Sequence, residues 1–267
     1  MLKDITLGQY FPGESFVHRL DPRTKLLMVI LYIVALFMAT SWLAYGAVIL
    51  FLALCIKISA IPLKSITRGL KPVLLIVALT GILNLFFTPG THEIFTVFGF
   101  TLTWEAVERA AQMILRIMLL ITGTFLLTYT TSPIALTDGL ERLLSPLKAV
   151  KFPVHELSMM MCIALRFIPT LIEETDKIMS AQKARGADFE NGSLLDRARA
   201  LIPILVPLFI SAFRRADELA VAMECRCYQG GEGRTKMKQL HYTSLDFTAY
   251  GAGFVLLAAV LILSRIG

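Results

Sequence analysis

The chain has 267 residues, of which 56% are hydrophobic and only 17% are charged, and its mean hydropathy is +0.68. Soluble domains average about 45–50% apolar and roughly 25% charged residues, so this composition excludes an ordinary soluble protein and indicates an integral membrane protein. The formal net charge of +6 fits the positive-inside bias of such a protein and its contact with anionic lipid, and no nucleic-acid-binding motif accompanies it.

Four predicted spans lie in the region 1–131, which forms the predicted amino-terminal membrane domain. Leu26 to Ile56 has no charged residue, and basic residues flank it on both sides. Because basic flanks favour the cytoplasmic side, this run predicts two spans with a turn near Thr40–Trp42, and an amino terminus inside. The third span is predicted from Pro72 to about Thr88, and the fourth from about Val107 to Thr131, with Arg116 inside it.

Two further features complete the predicted topology. Phe87 to Trp104 contains no Lys or Arg, which predicts an external loop between the third and fourth spans. Phe247 to Ser264 is the fifth predicted span, within a carboxyl-terminal segment, 245–267, whose end lies outside the cell.

The segment between the fourth and fifth spans has a different composition. Thr131 to Ser244 holds most of the charged side chains of the chain, both basic and acidic. Its most apolar stretch, Leu201 to Phe213, contains two prolines and is too short for a span. We therefore expect the region 132–244 to form a cytoplasmic or interfacial domain of amphipathic helices. The predicted fold is an all-α integral membrane protein with about five transmembrane helices and this additional domain.

Two amphipathic helices in this domain carry a weak internal repeat. One begins near Val154 and reaches Arg185, and the other runs from about Leu194 to about Tyr228 and contains Arg226. Apolar residues in both keep three- and four-residue spacing, which predicts one buried face. Prolines inside them predict a kink or a break: Pro169, Pro203 and Pro207. The pairs that the repeat aligns are Asp176 with Asp217, Ile178 with Leu219, Ala181 with Ala222 and Arg185 with Arg226.

The two helix endings differ in sequence. The first reads Ala184-Arg185-Gly186, and its glycine predicts a helix stop because glycine adopts the left-handed cap without steric cost. The second reads Cys225-Arg226-Cys227, and glycines follow only at Gly230, Gly231 and Gly233. We therefore expect the second helix to run longer or to end in a less regular turn.

The two arginines allow two interpretations. An arginine in the last turn stabilises a helix by complementing the negative end of its dipole. The repetition, with a small residue four positions before each arginine, favours docking to a partner instead, because a guanidinium makes a forked contact with carboxylate or carbonyl oxygens. The predicted docking residues are Ala184, Arg185, Gly186, Cys225, Arg226 and Cys227, supported by Ala181, Ala222 and Glu224.

The chain lacks the common catalytic and nucleotide-binding motifs. It has no G-x-x-x-x-G-K-[ST] loop for ATP, no H-E-x-x-H and no G-x-S-x-G, and Cys225 and Cys227 lack the second pair of a zinc site. No cofactor is expected. An intramembrane enzyme remains an alternative, although Asn84 and Arg116 with a few threonines make a poor set of polar groups. A stand-alone secondary carrier is a second alternative, but it would show inverted repeats among its spans, and none is found.

Three stretches resemble the transmembrane T component of energy-coupling factor (ECF) transporters, the EcfT family. "FVHRLDPRTKLL", from Phe16 to Leu27, resembles the amino-terminal signature of that family. "LRFIPTLIEETDKIMSAQKARG", from Leu165 to Gly186, resembles its first coupling helix, which ends in an Ala-Arg-Gly motif. "RADELAVAMECRCYQGGEGRT", from Arg215 to Thr235, resembles the second coupling helix, with Cys-Arg-Cys as a departure. The final apolar span completes the layout, so the resemblance covers essentially the whole chain.

The resemblance implies a non-catalytic subunit of an ATP-driven importer in the cell membrane. Two cytoplasmic ATPase subunits would bind it, one at each arginine, and the unequal motifs hint that the two are not identical. A membrane-embedded S component would capture a vitamin or another micronutrient, and this chain resembles the type shared by several S components. The resemblance also places the coupling-helix domain, 132–244, on the cytoplasmic side.

Overall fold

The computed structural model describes residues 10–87, 93–97, 100–187, 189, 193–231 and 239–266, most of which are helical. The helices are α1 (Phe16–Arg19), α2 (Pro22–Met38), α3 (Trp42–Ser59), α4 (Leu63–Phe87), α5 (Trp104–Thr130), α6 (Pro133–Leu143), α7 (Val154–Ala184), α8 (Leu194–Cys225) and α9 (Ser244–Ile266), with a 3₁₀ helix at Ser145–Val150. Strands β1 (Glu93–Val97) and β2 (Phe100–Thr103) form a small antiparallel hairpin in the predicted external loop. The predicted all-α membrane fold is confirmed, with this hairpin as its one addition among the described residues.

The helices that qualify as spans differ in part from the predicted set. Five described helices are long and apolar enough to cross a membrane, namely α3, α4, α5, α7 and α9. Four of these are predicted spans, whereas α2, the first predicted span, has only 17 residues. α7 has the length and composition of a span although the sequence assigns it to the inner domain. The chain is a multi-pass membrane protein, and the placement of α7 along the inner surface stays a prediction.

Local signals explain where the first helices begin and end. The predicted hairpin in Leu26–Ile56 is confirmed, because α2 ends at Met38 and Ser41 caps α3 by accepting a hydrogen bond from the Ala44 N–H. The third span begins earlier than predicted, since α4 starts at Leu63 and continues through its internal proline. The predicted end of that span, Thr88, lies outside the described residues, as do positions 88–92 and 98–99 of the predicted external loop.

A break at Pro169, Pro203 or Pro207 is the wrong alternative, because α7 and α8 both continue through their prolines, and a kink there stays a prediction. A proline removes one backbone hydrogen bond and crowds the preceding turn, which kinks or ends an isolated helix. Here α7 extends over 31 residues and α8 over 32 residues, so the remaining hydrogen bonds and the packing outweigh that cost. Both inner helices are therefore continuous, with a length of roughly 45 Å along the helix.

The described residues form two compact units. The membrane unit comprises the described residues of Gly8–Leu140 and Leu240–Gly267, and the paired-helix unit comprises those of Glu141–Gln239. The predicted domain boundaries, at 131/132 and 244/245, concern placement relative to the bilayer and stay predictions.

Small side chains let the helices of the membrane unit pack closely. Ala35 of α2 and Ala44 of α3 are fully buried, beside Leu36, Val48 and Val260. Close backbone approach through small residues is how helices associate in lipid, where no hydrophobic effect drives them together. These contacts join α2, α3 and α9 around one core.

The amino-terminal signature is held by buried polar contacts within the membrane unit. Asp246, in the first turn of α9, is fully buried, and its Oδ1 accepts a hydrogen bond from the Asp21 N–H at 2.9 Å. Its Oδ2 accepts from the Thr243 N–H at 2.7 Å and from the Thr243 hydroxyl at 2.8 Å. Lys25 Nζ donates to the carbonyl of Thr130, at the end of α5, at 2.9 Å. The signature residues therefore join α2 to α5 and α9.

Candidate docking site on the paired helices

The first arginine occupies the C-cap of α7. Arg185 has φ −86° and ψ 4°, and Gly186 follows in the left-handed region with φ +88°. The Gly186 N–H donates to the Lys183 carbonyl at 3.0 Å, and the Ala187 N–H donates to the Gln182 carbonyl at 3.0 Å. These two hydrogen bonds define a Schellman motif, which satisfies carbonyls that the helix end leaves unpaired. The glycine stop predicted from the sequence is confirmed.

The second arginine occupies the same position at the end of α8. Arg226 has φ −91° and ψ 14°, and Cys227 follows in the left-handed region with φ +54°. The Cys227 N–H donates to the Glu224 carbonyl at 2.8 Å, and the Tyr228 N–H donates to the Met223 carbonyl at 3.0 Å. The expected longer or less regular ending is therefore wrong, because α8 ends in the same Schellman motif as α7. The two arginines that the repeat aligns therefore have the same backbone conformation, each as the C-cap residue of its helix.

Cys227 adopts its conformation at an energetic cost. A left-handed conformation costs an ordinary L-residue about 1–2 kcal/mol, whereas Gly186 adopts it freely. Cysteine at position 227 thus keeps the backbone shape that glycine provides at position 186, against its own preference. Cys225 and Cys227 are both exposed and not disulfide-bonded.

Each arginine lies on an exposed helix end. We call Ala184–Gly186 the first tip and Cys225–Cys227 the second tip, and every residue of both is exposed. The supporting positions Ala181, Ala222 and Glu224 are exposed as well. Among the residues that the structure describes, neither tip guanidinium has a hydrogen-bond or ion-pair partner. As far as the described residues are concerned, both guanidinium groups are therefore available to bind another protein.

The two helices contact each other at equivalent residues. Arg215 Nη2 donates to Glu174 Oε2 at 2.9 Å. The repeat that aligns Arg185 with Arg226 also aligns Glu174 with Arg215. Each of these two residues lies about three helical turns before the arginine of its own tip, a distance of roughly 16 Å along the helix. We call this contact the crossing, and it lies equally far along each helix from its tip.

The tips lie on opposite sides of this crossing. Gly231, which follows the second tip, approaches the ring of His155 near the start of α7, while the first tip is at the other end of α7. From the crossing, α8 consequently runs back towards the beginning of α7. We call the segment of each helix between the crossing and its tip an arm. Each arm is roughly 16 Å long, and two arms on opposite sides of the crossing separate the tips by roughly 30 Å. A single small partner does not cover both tips.

Arg116, whose role the sequence left open, has a structural role in the membrane unit. Its Nε donates to the Tyr45 hydroxyl at 3.0 Å, and its Nη2 donates to the Ala39 carbonyl at 3.0 Å. Ala39 is the C-cap of α2, so this guanidinium ties α5 to the turn between α2 and α3. Asn84 donates to the Thr80 carbonyl of its own helix. The polar groups considered for an intramembrane enzyme are thus used in structural hydrogen bonds.

Comparison with known proteins identifies the family. Residues 13–237 match the sequence model of the CbiQ family, described as a cobalt transport protein. The chain is 51% identical over 267 residues to the energy-coupling factor transporter transmembrane protein EcfT of Ruminiclostridium cellulolyticum, covering 100% of this chain and 99% of that one. The chain belongs to the EcfT family. It is also 54% identical to the EcfT proteins of Clostridium kluyveri, over 267 residues, and of Thermosediminibacter oceani, over 264 residues.

These EcfT proteins match along almost their whole length, with 98% of the Clostridium kluyveri chain and 99% of the Thermosediminibacter oceani chain covered. The resemblance predicted from the amino-terminal signature and the two arginine helices is confirmed. The chain is a transmembrane component of an ECF transporter, and its relatives carry the name of a transporter protein and not of an enzyme. Among the described residues, no group of three or more His, Cys, Asp or Glu is arranged to hold a metal ion.

Proposed function

We propose that this EcfT-family protein couples ATP hydrolysis by two cytoplasmic ATPase subunits to substrate import by a membrane-embedded S component. The observation that carries the proposal is the pair of tips. Each presents an exposed arginine in the same C-cap geometry, and the two lie roughly 30 Å apart on crossing helices. That arrangement provides two separate docking points with one shared shape.

One ATPase subunit binds at each tip. The chain itself has no P-loop motif, so the energy of ATP enters through partners. A guanidinium donates in a planar fork to a carboxylate or to backbone carbonyls, which gives direction as well as charge to the contact. Ala181 and Ala222, one turn before each arginine, keep the neighbouring helix surface small. Each tip therefore fits into a groove of its ATPase.

The crossing passes motion from one tip to the other. ATP binding closes a pair of ATPase subunits, and hydrolysis reopens it, so the two tips are pushed together and apart. α7 and α8 are continuous through their prolines and act as levers on either side of the Glu174–Arg215 contact. A displacement at a tip therefore rotates its helix about this contact and moves the far part of the same helix.

The S component contacts the exposed apolar face of α8. Side chains that are 55–67% exposed line this helix: Ile202, Phe209, Ile210 and Phe213. α8 is not among the described helices that qualify as spans, so lipid alone does not account for this face. Large exposed apolar patches mark interaction sites. Movement of α8 beneath an S component would reorient that subunit and release its substrate inward.

Charge reversal at the tips tests the proposal. Arg185→Glu and Arg226→Glu should each weaken co-purification of ATPase subunits with the T component, and the double variant should abolish co-purification and uptake. Arg→Lys at either tip should have a smaller effect, because the charge remains and the fork is lost. Arg214→Glu is the matched control, since Arg214 is an exposed arginine of α8 away from the tip. Normal assembly and uptake in the double variant would refute the proposal.

The same purification identifies the ATPase subunits. The Ala-Arg-Gly and Cys-Arg-Cys tips carry different side chains beside the arginine, so we propose that they bind two different ATPases. Mass spectrometry of the wild-type complex should then find two ATPase sequences in equal amounts. A single ATPase species in two copies would contradict this part of the proposal and leave the docking of the tips intact.

A further inference from the structure

We propose that His155 is a positioning residue for the second tip. Its ring holds the segment that follows Arg226 and thereby fixes the direction in which that arginine points. This role rests on the proposed docking of ATPase subunits at the tips. The position that corresponds to Gly231 after the first tip, Glu190, lies outside the described residues.

The contact between Gly231 and His155 is closer than any side chain at position 231 would permit. A Cβ added at Gly231 would overlap Cδ2 of the His155 ring and would lie 2.7 Å from its Cγ. Gly230 differs, because its φ of +94° requires glycine for the turn and its Cβ position faces open space. The two glycines after the second tip thus have separate tasks. Gly230 turns the chain, and Gly231 lets it lie against the ring.

The ring itself is held from its other side. His155 Nδ1 lies 3.3 Å from Glu141 Oε1, and because a carboxylate accepts hydrogen bonds, Nδ1 carries the proton. Glu141 is buried, with 9% of its side chain exposed. The other ring nitrogen, Nε2, is buried without a hydrogen-bond partner among the described residues. The orientation of the ring within this part of the chain therefore depends on Glu141 and on the packing of Gly231.

Two attachments fix the arm that carries the second tip. The Glu174–Arg215 contact holds α8 at the crossing, and the His155–Gly231 contact holds the chain just beyond Arg226. The second contact is made to the start of α7, so it sets the direction of the chain at the second tip relative to that helix. We therefore expect the His155–Gly231 contact to determine where Arg226 points.

Single-tip proteins test this role by ATPase binding. In the Arg185→Glu background only the second tip docks, and in the Arg226→Glu background only the first tip docks. Gly231→Ala should weaken ATPase binding in the Arg185→Glu background by roughly fivefold or more, the effect of mild overpacking. The same substitution should leave binding in the Arg226→Glu background unchanged, which also shows that the variant folds. Gly251→Ala, at a helical glycine with no atom within 4 Å of its added Cβ, is the control.

A double variant separates positioning from general damage. His155→Ala alone should also weaken docking through the second tip, because the contact of the His155 ring with Gly231 is lost. Adding Gly231→Ala to His155→Ala should weaken it no further, since the clashing ring is absent. Additive losses, or equal losses at both tips, would overturn the positioning role. If docking requires the tip arginines but is unchanged by Gly231→Ala, the positioning role of His155 is wrong and the proposed function stands. If docking persists when both arginines are changed to glutamate, the proposed function is wrong as well.

Discussion

The left-handed residue after each arginine allows a reciprocal test of the tip geometry. Gly186→Ala should destabilise the first tip, and Cys227→Gly should stabilise the second. The added methyl at position 186 would meet no atom within 4 Å, so its whole effect comes from the backbone angle of +88°. Both variants therefore measure one quantity, the preference of an L-residue against the left-handed conformation.

The magnitude follows from two opposing contributions. An L-residue in the left-handed region costs about 1–2 kcal/mol, and glycine avoids that cost. Alanine restricts the unfolded chain more than glycine does, which offsets about 0.4–1 kcal/mol. The net loss for Gly186→Ala is about 1 kcal/mol. For Cys227→Gly, where φ is +54°, the same reasoning gives a gain of about 1 kcal/mol.

Amide hydrogen exchange measures these local free energies at the capping hydrogen bonds. The Ala187 amide bonds to Gln182 and the Tyr228 amide bonds to Met223, so each reports on its own tip. Because RT is about 0.59 kcal/mol, a loss of about 1 kcal/mol speeds exchange roughly fivefold. Cys225→Ala is the control, because position 225 is helical and accepts either residue. Unchanged exchange at Ala187 in Gly186→Ala would refute the assigned cap geometry.

Two predictions concern the membrane unit. Asp246→Ala should lower the free energy of unfolding by about 3 kcal/mol, because the buried N–H groups of Asp21 and Thr243 lose their acceptor. Asp246→Asn should lower it less, because the amide oxygen still accepts hydrogen bonds. Thermal unfolding in detergent compares the two variants, and equal losses would contradict the hydrogen-bond explanation. Arg116→Leu should lower it by about 2 kcal/mol, because the Tyr45 hydroxyl and the Ala39 carbonyl lose their donor, while ATPase co-purification stays unchanged. Loss of co-purification with unchanged stability would instead give Arg116 a role in docking.

Features with a local cause were predictable from the sequence. A charge-free run between basic flanks was enough to predict two helices with a turn at Ser41, because span length and flanking charge act on each segment separately. The glycine stop after Arg185 was predictable for the same reason. The continuity of α7 and α8 was not, because a proline lowers helix stability by a fixed amount and the rest of the structure decides whether the helix continues. The early start of α4, which runs through Pro72, is a further example.

Contacts between residues that are far apart along the chain were not predicted from the sequence. Gly231 and His155 lie far apart along the chain, and neither has a local signal that predicts the other. The pair of Glu174 and Arg215 did have such a signal, because both occupy the same position of the internal repeat. When two helices of a repeat contact each other at equivalent positions, opposite charges at those positions, here Glu174 and Arg215, form an ion pair.

The cap of α8 indicates which property of the tips the proposed docking would use. No local preference explains why α8 ends at Arg226, since Cys227 resists the left-handed conformation and Gly230 would accept it one turn later. Ending at Gly230 would relieve that strain but would move Arg226 from the cap into the helix, where its backbone and side chain point differently. The helix instead keeps the strained cap, with the arginine at the same sequence distance from the crossing on both helices. The position of the guanidinium relative to the crossing is therefore the feature that the fold maintains at both tips, which is what two ATPases of similar shape would require.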